Sequence, residues 1–310
     1  MLDFVGKRYW FLLVSVIVIV PGVVFLIIAP GLRPGIDFTG GSTTTVAFKD
    51  DTSQEAVRQL MVDFGETDAV VQNFGDNTFF IRTKELDEGR KNALLDLMES
   101  RLSPSGVELL SFDLVSPVVA RKIVVNGFWM VLAAAVGIFL FIWWAFRNVP
   151  SPYRYGLAAI VALVHDTLIV VGIFAILGEV AEIEVNSMFL FALLTVIGYS
   201  VNDTIVVFDR LRENVVLYPN RSFADTVNLS ISESISRSLN TSLTLLFTLL
   251  ALILFGGQTI KTFLLVLLIG VVAGTYSSIA VASQVLVAWE LGDIRRVFRR
   301  GRSSQAAAAE

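Results

Sequence analysis

The sequence predicts an α-helical polytopic membrane protein with six transmembrane helices and one α+β, ferredoxin-like domain outside the membrane. Of its 310 residues, 55% are hydrophobic and 17% charged, and the mean hydropathy of +0.70 is far above that of a soluble domain. The apolar residues fall in six windows, each long enough to cross roughly 30 Å of hydrocarbon as a helix. One long insert after the first window has the patterns of a folded domain instead.

The first window is interpreted as a retained helix. Lys7 and Arg8 precede it, as in a signal peptide, but the apolar stretch from Phe11 to Ala29 is longer than a typical signal core. Pro21 and Gly22 in its middle predict a kink, since neighbouring helices can satisfy the freed backbone groups. The six windows are 10–29, 124–146, 155–178, 186–208, 238–259 and 262–289.

The distribution of basic residues predicts that both termini are cytoplasmic. Lys and Arg in short flanking loops mark the cytoplasmic side, and here they collect at alternate loops. The loop 178–184 is acidic and has no base, so it is placed on the other side with the insert. The domains are then 1–30 (cytoplasmic N-terminus and first helix), 31–122 (extracytoplasmic), 123–290 (helices two to six) and 291–310 (basic cytoplasmic tail). The bases concerned are Lys7, Arg8, Arg147, Arg154, Arg210, Arg212, Arg221, Arg295, Arg296, Arg299, Arg300 and Arg302.

The insert has the element order β-α-β-β-α-β, which is typical of the ferredoxin-like fold. A capping box at 52–55 opens its first helix, whose apolar residues share one face. Two β-prone runs that flank 75–77 indicate a hairpin. The predicted strands are 43–48, 69–74, 78–83 and 107–115, and the predicted helices start at 52 and 86.

Two features of the membrane part concern packing. The segment at about 215–236 predicts a cytoplasmic amphipathic helix, with Phe223, Val227 and Ile231 one turn apart, that leads into the fifth transmembrane helix. Small residues recurring every fourth position allow close helix approach, either as static packing, which we favour, or as a sliding surface. These residues are Ser230, Ser234, Ser238 and Ser242, and Gly270, Gly274, Ser278 and Ala282.

Composition limits the chemistry. The absence of cysteine excludes disulfides, thiolate metal sites and cysteine nucleophiles, and the single histidine, His165, excludes multi-histidine metal motifs. A net charge of −4, with the bases at loops rather than on one face, argues against nucleic acid as a partner. We expect no enzyme activity, no cofactor and no metal.

The main candidate site is Asp203 in the fourth helix. A carboxylate at membrane depth costs several kcal/mol when ionised and usually lies on an ion or proton path. Asp203 lies roughly 9 Å to the cytoplasmic side of the middle of its helix, and Arg237 enters the fifth helix from the same side, so a contact between them is feasible. The two could form a proton relay or a static ion pair. Asn202 could orient Asp203 or bond to a neighbouring helix.

Other polar groups are weaker candidates. His165 and Asp166 lie near the middle of the third helix, but adjacent helical residues point about 100° apart, so we expect that they do not form one clustered site. Membership of a proton path and a structural pair both stay open for them. Asp209, with Arg210 and Arg212, lies at the cytoplasmic interface, where it is either solvated or part of a relay.

Gly35, Asp37, Gly40 and Gly41 lie between the first helix and the insert. They are interpreted as a glycine-rich joint through which the chain leaves the membrane, since glycine permits backbone angles that other residues avoid. They do not cradle a phosphate, because no strand, loop and helix with a Walker lysine follows.

Three motifs in this order closely resemble the SecF side of the SecD/SecF family, which is similar to the resistance-nodulation-division superfamily. The motifs are Gly35-Ile-Asp-Phe-Thr-Gly-Gly41 after the first helix, Tyr199 to Asn214 in the fourth and Ser236 to Ser242 opening the fifth. The resemblance covers the whole chain. Ser238 stands where threonine is usual, which keeps the hydroxyl.

The resemblance implies a function. Such a chain would be a multi-pass protein of the bacterial inner (cytoplasmic) membrane that forms a pseudo-symmetric heterodimer with SecD and uses proton-motive force to promote late stages of preprotein translocation through the SecYEG translocon. Asp203 would be the acidic relay residue and Arg237 the basic gate. Membrane lipid, SecD, SecYEG and the preprotein are the implied partners. The alternatives are half of a proton-coupled small-molecule exporter of the same superfamily, which would want a much larger outer portion, and a non-transporting scaffold.

Overall fold

The structure is a computed structural model that describes residues 3–28, 31–257 and 260–292. The chain divides into two compact units, one of Met1–Arg33 with Trp129–Glu310 and one of Pro34–Phe128. Most of the basic tail expected at 291–310 lies outside the described residues. In chain order the elements are α1 (Arg8–Ile28), β1 (Arg33–Pro34), α2 (Ile36–Thr39), β2 (Gly41–Phe48), α3 (Gln54–Asp63), β3 (Val70–Gly75), β4 (Thr78–Thr83), α4 (Glu88–Arg101), β5 (Val107–Val115), α5 (Pro117–Ala145), α6 (Pro152–Ala181), β6 (Glu184–Val185), α7 (Ser187–Leu217), α8 (Phe223–Phe255), α9 (Lys261–Ser277), a π-helical turn (Ser278–Ala282) and α10 (Ser283–Glu290).

The first unit is a bundle of membrane helices. The described residues contain six helices long and apolar enough to cross a bilayer, namely α1, α5, α6, α7, α8 and the continuous run from α9 to α10. This confirms the predicted number. α6, α7 and the last helix form the centre of the bundle, whereas the apolar stretches of α1, α5 and α8 bury only a small share of their residues.

Small residues allow the central helices to approach closely. A Cβ atom added to Gly274 of α9 would lie 2.9 Å from Cβ of Ser200 in α7. A Cβ atom on Gly22 of α1 would lie 2.6 Å from Cα of Gly172 in α6. Both separations are shorter than normal carbon contacts, so only glycine fits at either crossing. The predicted close approach along the small residues of the last helix is therefore confirmed.

The amphipathic segment predicted before the fifth helix differs from expectation. It is the first part of α8, which runs for 33 residues without a break, because no glycine or proline interrupts residues 223–255. Val227 and Ile231 are 1% and 0% exposed and belong to the same apolar core as α6 and α7. This apolar face is therefore packed against protein and not laid on a lipid surface.

The second unit is a four-stranded antiparallel sheet, in the order β3-β4-β2-β5, with α3 and α4 packed against one face. The order of strands and helices along the chain is the predicted one, while the classification as ferredoxin-like stays a prediction. The helix α3 is capped by Ser53, whose Oγ accepts from the Ala56 amide at 3.2 Å, and not by Thr52 as the capping box suggested. The hairpin turns through Asp76 and Asn77, which both have positive φ. The apolar core of the second unit consists of Val46, Phe48, Val57, Leu60, Met61, Val71, Phe79, Ile81, Leu86, Leu94 and Met98.

Candidate functional site

The glycine motif forms the turn from α2 into β2. Gly40 and Gly41 have φ of 77° and 125°, in the region that favours glycine. A Cβ on Gly41 would also lie 2.6 Å from the Thr83 carbonyl oxygen. Gly35 precedes α2 as its N-cap residue and Asp37 lies in the first turn of α2. This geometry fits a backbone joint.

Asp203 lies on the inner face of α7 with only 5% of its surface exposed. The Ser278 hydroxyl, at the start of the π-helical turn, donates to Asp203 Oδ2 at 3.2 Å. The Ser238 hydroxyl of α8 is buried and faces the same carboxylate, although it forms no hydrogen bond of normal geometry. Asp203 lies roughly 24 Å along α7 from Ser187, and Ser238 lies roughly 25 Å along α8 from Phe255. The two residues are therefore at a similar distance from these helix ends, and Ser278 of the last helix meets Asp203 at the same level.

Arg237 does not contact Asp203 in this structure. It is exposed on the outside of α8, next to the inward-facing Ser238, and in the described residues its guanidinium forms no ion pair and no hydrogen bond. Asn202 is also exposed and does not hydrogen-bond to Asp203. The acid therefore points into the bundle, while the arginine and the asparagine point away from it.

Asp209 lies outside this site. Its side chain is 59% exposed and pairs with Arg212, 2.6 Å away and one turn further along α7. Arg210 similarly pairs with Glu213 at 2.6 Å and with Glu233 of α8 at 2.7 Å. These contacts fit the solvated interpretation, in which the charges offset one another near the helix end.

His165 and Asp166 do form one cluster, so the expectation that they could not is wrong. His165 Nδ1 lies 2.9 Å from Asp166 Oδ1, because the two side chains are long enough to meet although adjacent helical positions point about 100° apart. Asp166 Oδ2 accepts from the Ser200 hydroxyl of α7 at 2.5 Å and from the Ser277 hydroxyl of α9 at 2.7 Å. His165 and Asp166 are 7% and 2% exposed.

The cluster extends to α1 through residues that sequence reasoning missed. His165 Nε2 lies 2.9 Å from the Ser15 hydroxyl, which lies 3.4 Å from the Tyr276 hydroxyl. Tyr276 in turn donates to the Phe11 carbonyl at 2.6 Å. Ser15 is the only hydroxyl residue between Trp10 and Ile28, and this isolation in an apolar run was the signal available in the sequence.

The π-helical turn joins the two acids. Consecutive serines at its start reach different carboxylates, since Ser277 bonds to Asp166 and Ser278 bonds to Asp203. The widened backbone is satisfied by side chains, as Ser283 Oγ donates to the Ser278 carbonyl at 2.9 Å and Gln284 Nε2 donates to the Ile279 carbonyl at 3.3 Å. Single π-helical turns are frequent at functional sites.

The chemistry available to this arrangement is the binding and exchange of protons. Two buried carboxylates and one imidazole are held by hydroxyl groups that can either donate or accept. In the described part of the chain, no group of three or more histidine, aspartate or glutamate side chains could hold a metal ion.

Comparison with known proteins agrees with these motifs. Residues 98–292 match the family of the protein export membrane protein SecD/SecF, C-terminal, and residues 25–52 match the SecD/SecF GG motif. Protein translocase subunit SecF of Thermobaculum terrenum is 45% identical over 99% of this chain and 100% of its own length. The SecF subunit of Anaerolinea thermophila is 41% identical over 97% of this chain and 98% of its own.

Solved structures give the same result. SecDF from Thermus thermophilus, a translocon-associated membrane protein, matches 93% of this chain and 38% of its own, with 32% identity and a TM-score of 0.80. SecDF in a super-membrane-facing form matches 100% of this chain and 40% of its own, with 31% identity and a TM-score of 0.60. The chain thus spans about two fifths of the SecDF chains. On the family match and the extent of these similarities, the chain belongs to the SecD/SecF family of protein export membrane proteins, on its SecF side.

Proposed function

We propose that this Sec-export auxiliary subunit works with SecD as a proton-driven device that promotes late stages of preprotein translocation through SecYEG. The observation that carries the proposal is the setting of Asp203. Its carboxylate is buried among three membrane helices, accepts a hydrogen bond from the Ser278 hydroxyl and faces the Ser238 hydroxyl of α8. A carboxylate in such a place is costly to ionise and usually serves ion or proton movement.

The static ion pair has less support. It would need a cation against Asp203, and in the described residues no cation forms a salt bridge with it. Proton uptake and release need no covalent step and no cofactor, so we propose that the chain acts without enzymatic chemistry.

SecD is the partner that the outer face of α7 and α8 favours. Asn202, Arg237 and Asn240 are exposed there, and their side chains have no hydrogen bonds to other described residues. The nearby Thr241, Thr244 and Thr248 differ, because each hydroxyl bonds to a carbonyl of its own helix. Unsatisfied polar groups facing lipid are unfavourable. A second helical half that carries an acid opposite Arg237 would satisfy them and complete the site.

The proposed setting is the bacterial inner membrane, with both termini cytoplasmic and residues 31–122 extracytoplasmic. Arg147, Arg154 and Arg221 lie at connections on one end of the bundle, and the acidic Glu179 and Glu182 lie at the other. This distribution is the one that the positive-inside rule describes.

The test uses Asp203→Asn and Arg237→Met in membrane vesicles that also contain SecD and SecYEG. We expect late preprotein export to fall to the level seen when an ionophore collapses the proton-motive force, while ATP-driven translocation stays unchanged. Asn keeps the size of the side chain but cannot ionise, so its effect reports on the proton.

Matched controls separate a relay from a general loss of charge. Asp209→Asn makes the same change on an exposed side chain of the same helix, and Arg221→Met removes an exposed arginine at the connection before α8. Both should export normally. Unchanged late export in Asp203→Asn and Arg237→Met would contradict the relay and favour a scaffold.

A further inference from the structure

A buried hydrogen-bond network ties α1 to the centre of the bundle, apart from the Asp203 carboxylate. It runs from Asp166 through His165, Ser15 and Tyr276 to the Phe11 carbonyl. We propose that the His165–Asp166 pair is a second proton-binding site, loaded at His165 Nε2, and that its loading strengthens the attachment of α1. This deepens the proposed function and rests on it only for the role of the proton in export.

Counting hydrogens along the network leads to this assignment. The Tyr276 hydroxyl has one hydrogen, and at 2.6 Å it donates that hydrogen to the Phe11 carbonyl, which can only accept. Towards Ser15, Tyr276 can therefore only accept. The single hydrogen of Ser15 goes either to Tyr276, 3.4 Å away, or to His165 Nε2, 2.9 Å away.

Each choice fixes the state of the imidazole. One proton lies between Nδ1 and Asp166 Oδ1 in both cases, because two acceptors would not remain at 2.9 Å. If Ser15 donates to Nε2, this nitrogen is bare and the pair carries one negative charge. If Ser15 donates to Tyr276, Nε2 carries a proton and donates to Ser15, and the pair is neutral overall. The two states differ by one proton. Between them the hydroxyl hydrogen of Ser15 rotates from His165 Nε2 to Tyr276, and no heavy atom has to move.

The proton-bound state holds α1 with one more hydrogen bond. In that state His165 donates to Ser15, Ser15 to Tyr276 and Tyr276 to Phe11, so the chain of donors is unbroken. In the proton-free state the Ser15 to Tyr276 bond is lost. The difference matters because, of the residues of α1, only Ser15 and Gly22 are fully buried. The Ser15 to Tyr276 bond is therefore one of the few polar contacts that fasten α1, beside the Tyr276 to Phe11 bond and the packing of Gly22 on Gly172.

Few other charges face the pair. α1 has no charged residue between Arg8 and Ile28, and α6 has none between Arg154 and Glu179 apart from the pair itself. Tyr276 is the titratable group that α9 contributes. From α7 the nearest acid is Asp203, one turn beyond Ser200 and bonded to Ser278, the neighbour of Ser277. The hydroxyl groups of Ser277 and Ser278 therefore lie between Asp166 and Asp203, on the path that a proton exchanged between the two acids would follow.

The single histidine makes the test direct. The full chain, without a histidine tag, is labelled with ¹⁵N-histidine and placed in lipid nanodiscs, and the ¹⁵N shifts of His165 are followed from about pH 5 to 9, around the ordinary range of an imidazole. We expect Nε2 to be protonated at the low end and bare at the high end. Asp166→Asn should abolish this change, because the imidazolium would then be an unpaired buried charge.

A second variant tests the network without changing an acid. Tyr276→Phe removes the acceptor that allows Ser15 to turn away from Nε2, so the Nε2-bound proton should be about five-fold less populated at a given pH, the effect of one ordinary hydrogen bond. Ser234→Ala is the control, since it also removes one hydroxyl from the inside of the bundle, but Ser234 bonds only within α8. A wild-type Nε2 that stays in one state from pH 5 to 9, or a Tyr276→Phe profile equal to the wild type, overturns the proposal.

Attachment of α1 is measured by cross-linking. In two contacts between α1 and α6, Ser15 with His165 and Gly22 with Gly172, the α6 residue is numbered 150 higher. From this constant offset we infer that residue 19, between them, faces residue 169. The pair Ile19→Cys and Ile169→Cys, in a chain that has no cysteine of its own, should cross-link more at low pH relative to the same pair in Asp166→Asn. An equal pH profile in the two backgrounds overturns the link to α1.

These readouts do not depend on export. If His165 titrates as expected while Asp203→Asn exports normally, the second site stands and the proposed function fails. If His165 does not titrate while Asp203→Asn blocks late export, the reverse holds.

Discussion

Gly22→Ala is the perturbation whose effect the structure defines most closely. The added methyl carbon would lie 2.6 Å from Cα and 3.0 Å from the carbonyl carbon of Gly172. Ordinary carbon contacts are about 3.5 to 4.0 Å, so α1 and α6 must separate by about 1 Å. Both clashing atoms belong to the backbone, so no side-chain rotation relieves the contact. Overpacking of this kind costs about 1 to 3 kcal/mol.

The same displacement reaches the hydrogen-bond network. Ser15 lies two helical turns before Gly22, and its hydroxyl is 2.9 Å from His165 Nε2. If α1 moves outward by about 1 Å at this level, the separation passes the roughly 3.2 Å upper range of such a bond. Gly22→Ala should therefore both destabilise the bundle and release Ser15 from His165.

The assay compares Gly22→Ala with Gly137→Ala by thermal unfolding of the full chain in lipid nanodiscs. A Cβ on Gly137, in α5, meets no atom within 4 Å. Both variants gain the roughly 1 kcal/mol of helix propensity that alanine has over glycine, so this gain cancels in the comparison. We expect Gly22→Ala to be about 1 to 3 kcal/mol less stable than Gly137→Ala, with a changed ¹⁵N shift at His165. Equal stability together with an unchanged shift would refute the reasoning.

Two further predictions concern polar contacts away from the two buried acids. The Ser105 amide and hydroxyl donate to Asp50 at 2.9 and 2.7 Å, and these bonds hold the pKa of the Asp50 carboxyl below its ordinary value of 3.8. Because folding lowers this pKa, the stabilisation is present above pH 3.8 and is lost as the pH falls through the lower pKa of the folded state. Asp50→Asn should therefore flatten the acid side of the pH profile of hydrogen exchange at the Ser105 amide. An unchanged profile would contradict this. At the N-terminus, Asn228 Oδ1 accepts from the amides of Phe4 and Val5, both at 2.9 Å. Asn228→Ala should cost about 1 to 3 kcal/mol of local stability, seen as faster hydrogen exchange at these two amides, whereas the exposed Asn220→Ala should leave their exchange unchanged.

Sequence reasoning could predict the features that depend on composition and period. The six membrane helices, the order of strands and helices in the insert and the burial of Asp203 all follow from apolar runs, alternation and motif position. The continuity of α8 was missed because a change from amphipathic to fully apolar pattern looks like a boundary, although no residue there breaks a helix. The His165–Asp166 cluster was missed for another reason. The rule that adjacent residues diverge by 100° describes Cβ directions, while the two side chains are long enough to meet.

The position of Ser15 could not be predicted at all, because its contact depends on how α1 crosses α6. That crossing is set by Gly22 and Gly172, and one sequence does not reveal which two glycines meet. Ser15 stood out as polar in an apolar run, yet a lone hydroxyl can also bond to its own helix, as Thr195 does. Only the packing distinguishes the two cases.

The π-helical turn explains why the two acids belong to one arrangement. A widened turn leaves carbonyl groups that must find other donors, and here the buried Ser283 and Gln284 donate to the carbonyls of Ser278 and Ile279. Two buried polar side chains are thus used to keep this turn, which apolar residues and a regular helix would not require. The turn begins directly after Ser277, which donates to Asp166, and its first residue is Ser278, which donates to Asp203. Because both serines are carried by one backbone segment, any shift of that segment changes the hydrogen bonding of both carboxylates together.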